Sequence, residues 1–168
     1  HLDIEQVHVV GASMGGMIAQ VFAGLYPNRV LSTAIIFSST NEAFLPPPDP
    51  RALLPLMKGP GPGATREQIV AHSANTRRII GSPAYPTPME ELLVTAGEMY
   101  DRNYNPAGAL RQMAAVTGTG SLRRIAAQIA APTVVVHGRA DRLMRPSGGK
   151  AVARAVPGSS LHLIGGMG

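Results

Sequence analysis

Cysteine and tryptophan are absent from this 168-residue sequence, and only three phenylalanines and four tyrosines are present. Without cysteine the chain cannot have a disulfide framework, a thiolate nucleophile or a cysteine-ligated metal site. Charged residues make up only 15% of the sequence against 45% hydrophobic residues, which is too little charge for a disordered chain. These figures predict a folded unit about one domain in size.

Long apolar runs and an export signal are also missing. No window of 18 residues is wholly apolar, and the first residues lack a basic segment followed by an apolar one. The net charge of +5 raises the question of a nucleic-acid partner, but the basic residues come as isolated pairs such as Arg77 with Arg78 and Arg123 with Arg124. Such pairs are more typical of solvated helix faces, and few aromatic side chains are present to stack on bases. We therefore expect a soluble, cytoplasmic protein whose partner is neither a membrane nor a nucleic acid.

Short β-branched runs alternate with helical patterns at both ends of the chain. The first run, at residues 7–10, has the composition of a strand that is buried on both faces. The predicted order is strand, helix, strand and then, after Gly120, helix, strand, helix, strand, at residues 7–10, 16–25, 33–37, 122–129, 133–137, 147–155 and 160–164. This alternation predicts an α/β fold with a parallel sheet.

The middle of the chain has a different character. Segments rich in proline and glycine at 46–50 and 59–63 argue against regular helix or central strand there. Three helices are predicted after them, at 65–80, 87–100 and 106–116. We interpret residues 41–120 as a helical cap inserted into a core made of residues 1–40 and 121–168. The alternative is a separate small helical domain.

The first two of these helices begin with capping signals. Thr65 can serve as the N-cap, and Gln68 occupies the capping-box position three residues later. Thr87 is the predicted N-cap of the next helix, with Pro88 at its first helical position.

The pentapeptide Gly11-Ala12-Ser13-Met14-Gly15 matches G-x-S-x-G between a predicted strand and a predicted helix. There the turn strains Ser13 and exposes its hydroxyl, and Gly11 and Gly15 are expected to leave room where a Cβ would collide. The N–H of Met14 can donate to the oxyanion that forms when Ser13 attacks an acyl carbon. A dinucleotide fingerprint would need glycine at Ser13, and a phosphate-binding loop would need Gly-Lys-Ser/Thr. The alternative is a serine buried in a glycine-rich turn.

A hydroxyl nucleophile needs a base and an orienting carboxylate, in the chain order serine, acid, histidine. Asp141 lies just past the strand predicted at 133–137, at the edge where α/β sheets place their ligands. We predict that Asp141 is this carboxylate. The alternative is a surface ion pair with Arg139 or Arg142.

Together these residues resemble the α/β-hydrolase superfamily, in particular small bacterial serine esterases similar to the aclacinomycin methylesterases. The resemblance covers the elbow at 9–16, the helical middle, His137-Gly138-x-x-Asp141 and the closing residues 161–168. It implies the second half of an eight-stranded α/β-hydrolase sheet, with four strands upstream of this chain. It also implies an acyl-enzyme mechanism on a carboxylic ester with no metal and no organic cofactor.

Two features of the family are expected outside these residues. The family's catalytic histidine follows the last strand in a Gly-x-Gly-His ending, so the resemblance puts the base directly after Gly168, and the second oxyanion donor belongs to an upstream loop. None of the histidines of the chain occupies that position: His1, His8, His72, His137 and His162. We therefore expect a fragment that is nearly inactive by itself and whose open first strand favours aggregation or pairing.

The substrate is expected to be a small, apolar ester, because the predicted cap offers many apolar side chains. Lactonases, C–C hydrolases and perhydrolases share the same pattern, and the sequence does not predict an oligomeric state. The alternative function is a non-catalytic, α/β-hydrolase-like ligand-binding protein or pseudoenzyme.

Overall fold

The computed structural model describes residues 3–168, so that His1 and the beginning of the predicted unit 1–40 lie outside the described residues. Four strands form one parallel sheet in the order β1-β2-β3-β4. They are β1 (Val7–Ala12), β2 (Val30–Ile36), β3 (Thr133–Gly138) and β4 (Ser160–Ile164). The α/β class and the parallel sheet predicted from the sequence are confirmed.

Seven α-helices connect or flank these strands in the described residues. They are α1 (Met14–Leu25), α2 (Pro50–Met57), α3 (Arg66–Ile80), α4 (Met89–Asn103), α5 (Pro106–Thr119), α6 (Arg123–Ala126) and α7 (Pro146–Ala155). One face of the sheet is covered by α1, α6 and α7, whose apolar residues join Ile35 and Val135 in one buried cluster. This cluster is the core that fixes the strand ends carrying the candidate site.

The first strand differs from its prediction. It pairs only with β2, so it forms an edge of the sheet in residues 3–168. His8, Val10 and Ala12 point to the face that no described helix covers, and Val10 is 69% exposed. The expectation that residues 7–10 are buried on both faces is therefore wrong in this structure, because burial requires a neighbouring strand and a second helical layer.

The helices between β2 and α6 have a small core of their own. Val70 and Ala74 of α3 pack against Leu92 and Ala96 of α4, with Tyr100 partly buried beside them. The division into a cap at 41–120 and a core at 1–40 and 121–168 stays a prediction. None of the helices within residues 3–168 is long and apolar enough to span a membrane.

One of these helices, α2, is not predicted from the sequence, and it lies between the two proline- and glycine-rich segments at 46–50 and 59–63, sharing only Pro50 with the first. Pro50 is its first residue, and the Asp49 side chain accepts a hydrogen bond of 2.9 Å from the Arg51 N–H. Proline is well tolerated at this position because its missing N–H would have no intrahelical partner. Pro55 lies inside the helix, which ends two residues later at Met57.

The predicted helix starts are confirmed in one case and wrong in the other. Thr65 and Gln68 form both hydrogen bonds of the capping box at the start of α3. Thr87 is not the N-cap of α4, because Pro88 keeps an extended ψ of 143° and itself occupies the position before the first helical residue.

Candidate active site

The candidate nucleophile lies in a sharp turn between β1 and α1. Ser13 has φ 54° and ψ −121°, a left-handed conformation that is strained for a residue with a side chain. The side chain is half-buried, and within residues 3–168 its hydroxyl has no hydrogen-bond partner. Met14 is the first residue of α1, where N–H groups have no intrahelical acceptor and can bind a developing negative charge.

Close packing inside the turn explains why glycine is needed at one of the two glycine positions of the motif. A Cβ at Gly11 would lie 2.1 Å from the Gly15 carbonyl oxygen and 2.8 Å from the Gly16 nitrogen. A Cβ at Gly15 would meet nothing within 4 Å of it, so the expected collision at Gly15 is wrong for the described residues. The second restricted position is Gly16, where a Cβ would lie 2.5 Å from the Cβ of Ser38.

The end of β2 holds the elbow in place. The Ser13 N–H donates to the Ile36 carbonyl at 2.9 Å, and the Ser38 hydroxyl donates to the Ser13 carbonyl at 2.7 Å. Ser38 is fully buried, and sequence reasoning missed it because Ser38 and its neighbours read only as a loop leaving the strand. These bonds fix the backbone that aims the Ser13 side chain.

Asp141 follows β3 and is buried, with 7% of its surface exposed. Its Oδ1 accepts hydrogen bonds from the N–H groups of Leu143 at 2.9 Å and Met144 at 2.8 Å. The predicted alternative of a surface ion pair with Arg139 or Arg142 is wrong, since neither arginine pairs with this carboxylate in the described part of the chain. Its Oδ2 makes no hydrogen bond to a described residue.

Burial dominates the electrostatics of this carboxyl group. Loss of hydration raises the pKa of Asp141 above its ordinary value, although the Met144 and Leu143 amides and His137 all act to lower it. A catalytic base placed beside Oδ2 would give the ionised Asp141 carboxylate a hydrogen-bond partner.

His137 of β3 is fully buried directly beneath the Asp141 loop. Its Nε2 hydrogen-bonds to the Met144 carbonyl and lies 3.6 Å from Asp141 Oδ2. Because a carbonyl only accepts, Nε2 donates this hydrogen bond, and Nδ1 is buried without a hydrogen-bond partner in the described residues. Gly149 of α7 makes room for the ring, since a Cβ there would lie 2.5 Å from Nδ1.

Both candidate residues lie at the same edge of the sheet. Ser13 follows β1 and Asp141 follows β3, with β2 between these two parallel strands. Two strand spacings separate their strand ends by about 10 Å, which is too far for direct contact and leaves room for an imidazole. The loop after β4 reaches this edge as well, because the N–H of Ala140 donates to the Met167 carbonyl at 2.8 Å.

The described histidines do not fill that gap. His8 pairs with the Ser32 hydroxyl, His72 with the Pro55 carbonyl and His137 with the Met144 carbonyl. The remaining one, His162, is exposed on β4, and His1 lies outside the described residues. Within residues 3–168, therefore, no histidine connects Ser13 to Asp141. Nor do these residues contain a group of three or more His, Asp or Glu placed to hold a metal ion.

A cavity of about 530 Å³ adjoins Met14. Its floor is an apolar face of α1 and its roof is α5, a helix with no buried residue. Asn41 holds this roof by donating to the carbonyls of Val116 at 2.8 Å and Gly120 at 3.1 Å. Val116, an apolar residue of the predicted cap, lines this cavity together with Met14, Met17, Ile18 and Val21 of α1.

Comparison with known proteins identifies the fold to which this site belongs. The family model described as "alpha/beta hydrolase fold" matches residues 1–168. The chain is 28% identical over 167 residues to a 2-hydroxy-6-oxononadienedioate/2-hydroxy-6-oxononatrienedioate hydrolase of Cupriavidus pinatubonensis, covering 97% of this chain and 55% of that protein. It is 25% identical over 157 residues to a pimeloyl-[acyl-carrier protein] methyl ester esterase of Chromobacterium violaceum, covering 92% and 59%.

Solved structures show the same fold. A meta-cleavage product hydrolase from Pseudomonas fluorescens IP01 superimposes with a TM-score of 0.73 at 18% identity, covering 99% of this chain and 59% of that chain. The chain thus spans between half and two thirds of the length of these relatives.

Proposed function

The chain belongs to the alpha/beta hydrolase fold family, and on that premise we propose that it carries the nucleophile and the acid of a serine hydrolase acting on a small carboxylic ester. The observation that carries this proposal is the strained Ser13 with its unpartnered hydroxyl, between β1 and α1 at the sheet edge where Asp141 also lies. Strain of this kind persists only where the surrounding structure enforces it, and it is concentrated at functional sites.

In the proposed reaction the Ser13 oxygen attacks the ester carbonyl carbon while a histidine takes the hydroxyl proton. The carbonyl π electrons move to the oxygen, which the Met14 N–H stabilises as an oxyanion. When the carbonyl re-forms, the alcohol leaves with the proton from the histidine and an acyl-Ser13 ester remains. Water then attacks that ester by the same steps and releases the carboxylic acid.

The base in this scheme is proposed to lie outside residues 1–168. Each described histidine is either hydrogen-bonded elsewhere or exposed on β4, and the loop at Met167 already touches the Asp141 loop. Loss of the histidine from a serine triad lowers turnover by about a million-fold in proteases. The 168-residue chain alone should therefore be nearly inactive, while the complete gene product should be active.

The apolar cavity beside Met14 supports an uncharged or amphiphilic acyl group as the substrate. The named relatives hydrolyse two different kinds of compound, a 2-hydroxy-6-oxo-dienedioate and a methyl ester. Both kinds therefore belong in the substrate panel.

The test compares the complete gene product with its Ser13→Ala variant on p-nitrophenyl esters, methyl esters and 2-hydroxy-6-oxo-dienedioates. Ser160→Ala is the matched control, because Ser160 is exposed at the start of β4. We expect turnover that Ser13→Ala abolishes and Ser160→Ala preserves. A folded gene product that binds these compounds without turnover would instead favour the non-catalytic binding protein, and turnover that survives Ser13→Ala would contradict the proposal.

A further inference from the structure

A second cavity, of about 270 Å³, lies between the α3–α4 connection and the loop after β3. Arg77 and Arg78 line it from α3, and Arg142 lines it from the loop that carries Asp141. The hydroxyl residues Ser82 and Thr87 complete its polar lining, which contains no carboxylate.

The three arginines have no carboxylate partner in residues 3–168. Arg78 donates to the Asn75 side chain at 3.0 Å, and Arg77 reaches the Met99 sulfur, but neither contact balances a positive charge. The last turn of α3 accounts for Arg77 and Arg78, since its dipole favours cations. It does not account for Arg142, which comes from a different part of the chain and lines the same cavity.

The cavity lies where two separate parts of the chain are already joined. On one side the Asp49 N–H donates to the Arg142 carbonyl at 2.8 Å, and the Arg145 side chain donates to the Pro47 carbonyl at 3.3 Å. The loop that holds Asp141 is therefore attached to the segment preceding α2.

The other side is joined to the closing loop of the chain. The Ala84 N–H donates to the Gly166 carbonyl at 3.1 Å, and the Gly168 N–H donates to the Ser82 hydroxyl at 3.0 Å. A ligand that bridged α3 and Arg142 would add a further connection between the predicted cap and the loop that positions Asp141.

We propose that this cavity binds an oxyanion, meaning a carboxylate or phosphate group, held between the guanidinium groups of α3 and Arg142. Planar guanidinium groups pair with such anions through two parallel hydrogen bonds, and the hydroxyl groups of Ser82 and Thr87 can donate to remaining oxygens. Because the site is defined by its charge and not by Ser13, it does not depend on the proposed hydrolase activity.

The primary test measures the melting temperature of the complete gene product in inorganic phosphate and, in parallel, in succinate, at constant ionic strength set with chloride. A bound anion should raise the Tm by about 3 °C at about ten times its dissociation constant. The shift should disappear in Arg142→Gln and in Arg77→Gln but remain in Arg124→Gln, an exposed arginine of α6 that lines no described cavity. An absent shift, or an equal shift in all variants, would overturn the proposal.

A second arm distinguishes a free anion from one carried by the substrate. It compares p-nitrophenyl hexanoate with the mono-p-nitrophenyl ester of adipic acid, which adds a carboxylate at the far end. If the substrate supplies the anion, Arg142→Gln should raise KM about tenfold for the anionic ester alone. If the anion is free, phosphate should change the kinetics of both esters alike. If neither ester is hydrolysed, the Tm arm still decides whether the site exists.

Discussion

At the scale of the residue, Asp141, the candidate acid, shows how a buried carboxyl group can act against stability. The pKa of its carboxyl is raised by burial, so the folded state holds this proton over a wider pH range than the unfolded state does. Stability should therefore fall as the pH rises from the unfolded pKa through the folded pKa. Above the folded pKa the buried charge is a net penalty.

The substitution Asp141→Asn should remove that penalty while it abolishes the proposed orienting role. We expect the variant to unfold at higher urea concentration than the wild type at pH 7, with the difference shrinking as the pH falls below the folded pKa. In the active gene product the same change should lower kcat by about 10⁴-fold, as the equivalent change does in serine proteases. Urea titrations at several pH values check the first expectation, and a constant difference at every pH would contradict it.

Sequence reasoning finds Ser13 and Asp141 because each belongs to a local pattern of strand, turn and helix. It does not predict the contacts of Ser38, or those of His137 beyond its place in His137-Gly138-x-x-Asp141, because these contacts depend on the folded structure. Ser38 bonds to a residue 25 positions earlier, and the ring of His137 fits only because Gly149 lies opposite it. Contacts between residues that are far apart in the chain cannot be inferred from a single sequence.

At the scale of the element, the strand-turn-helix elbow offers a matched pair of glycine substitutions. Gly11→Ala should disrupt the turn, because its Cβ would lie 2.1 Å from a backbone oxygen that cannot move without the helix. Gly15→Ala should be tolerated, because nothing lies within 4 Å of its Cβ. We expect Gly11→Ala to unfold at lower temperature and Gly15→Ala to keep the Tm of the parent, as measured by calorimetry. Equal effects would contradict the geometry of the elbow.

The helices show why some elements could be predicted and others could not. The start of α3 can be predicted because Thr65 and Gln68, three residues apart, form the two hydrogen bonds of a capping box with each other's backbone N–H groups. Helix α2 is not predicted from the sequence, because Pro50 and Pro55 suggest a loop and because its N-cap Asp49 belongs to a segment attached to the Arg142 loop. The prediction that β1 is buried is wrong because composition indicates only that a strand prefers burial. It does not indicate whether neighbouring elements are present to cover the strand.

At the scale of the whole molecule, the open edge of the sheet should govern how the 168-residue chain behaves in solution. Val10 is 69% exposed on β1, beside unpaired backbone groups that can accept another strand. We expect this chain to self-associate, and Val10→Lys to shift it towards the monomer. Leu110→Lys is the matched control, since Leu110 is 70% exposed on α5, away from the sheet edge.

Sedimentation velocity at several concentrations measures this association. If the unmodified chain is a monodisperse monomer with sharp thermal unfolding, the open edge does not have the predicted effect. If Leu110→Lys acts as strongly as Val10→Lys, general surface charge rather than the strand edge is responsible.

At all three scales, we propose that Ser13 is an activated nucleophile. In the most direct measurement, the complete gene product is treated with a fluorophosphonate, a reagent that phosphonylates activated serines. The adduct is then located by peptide mass spectrometry. We expect one adduct on the peptide containing Ser13, absent in Ser13→Ala and retained in Ser160→Ala. A folded, hydrolytically active protein with no adduct on Ser13, or with its adduct on another serine, would contradict it.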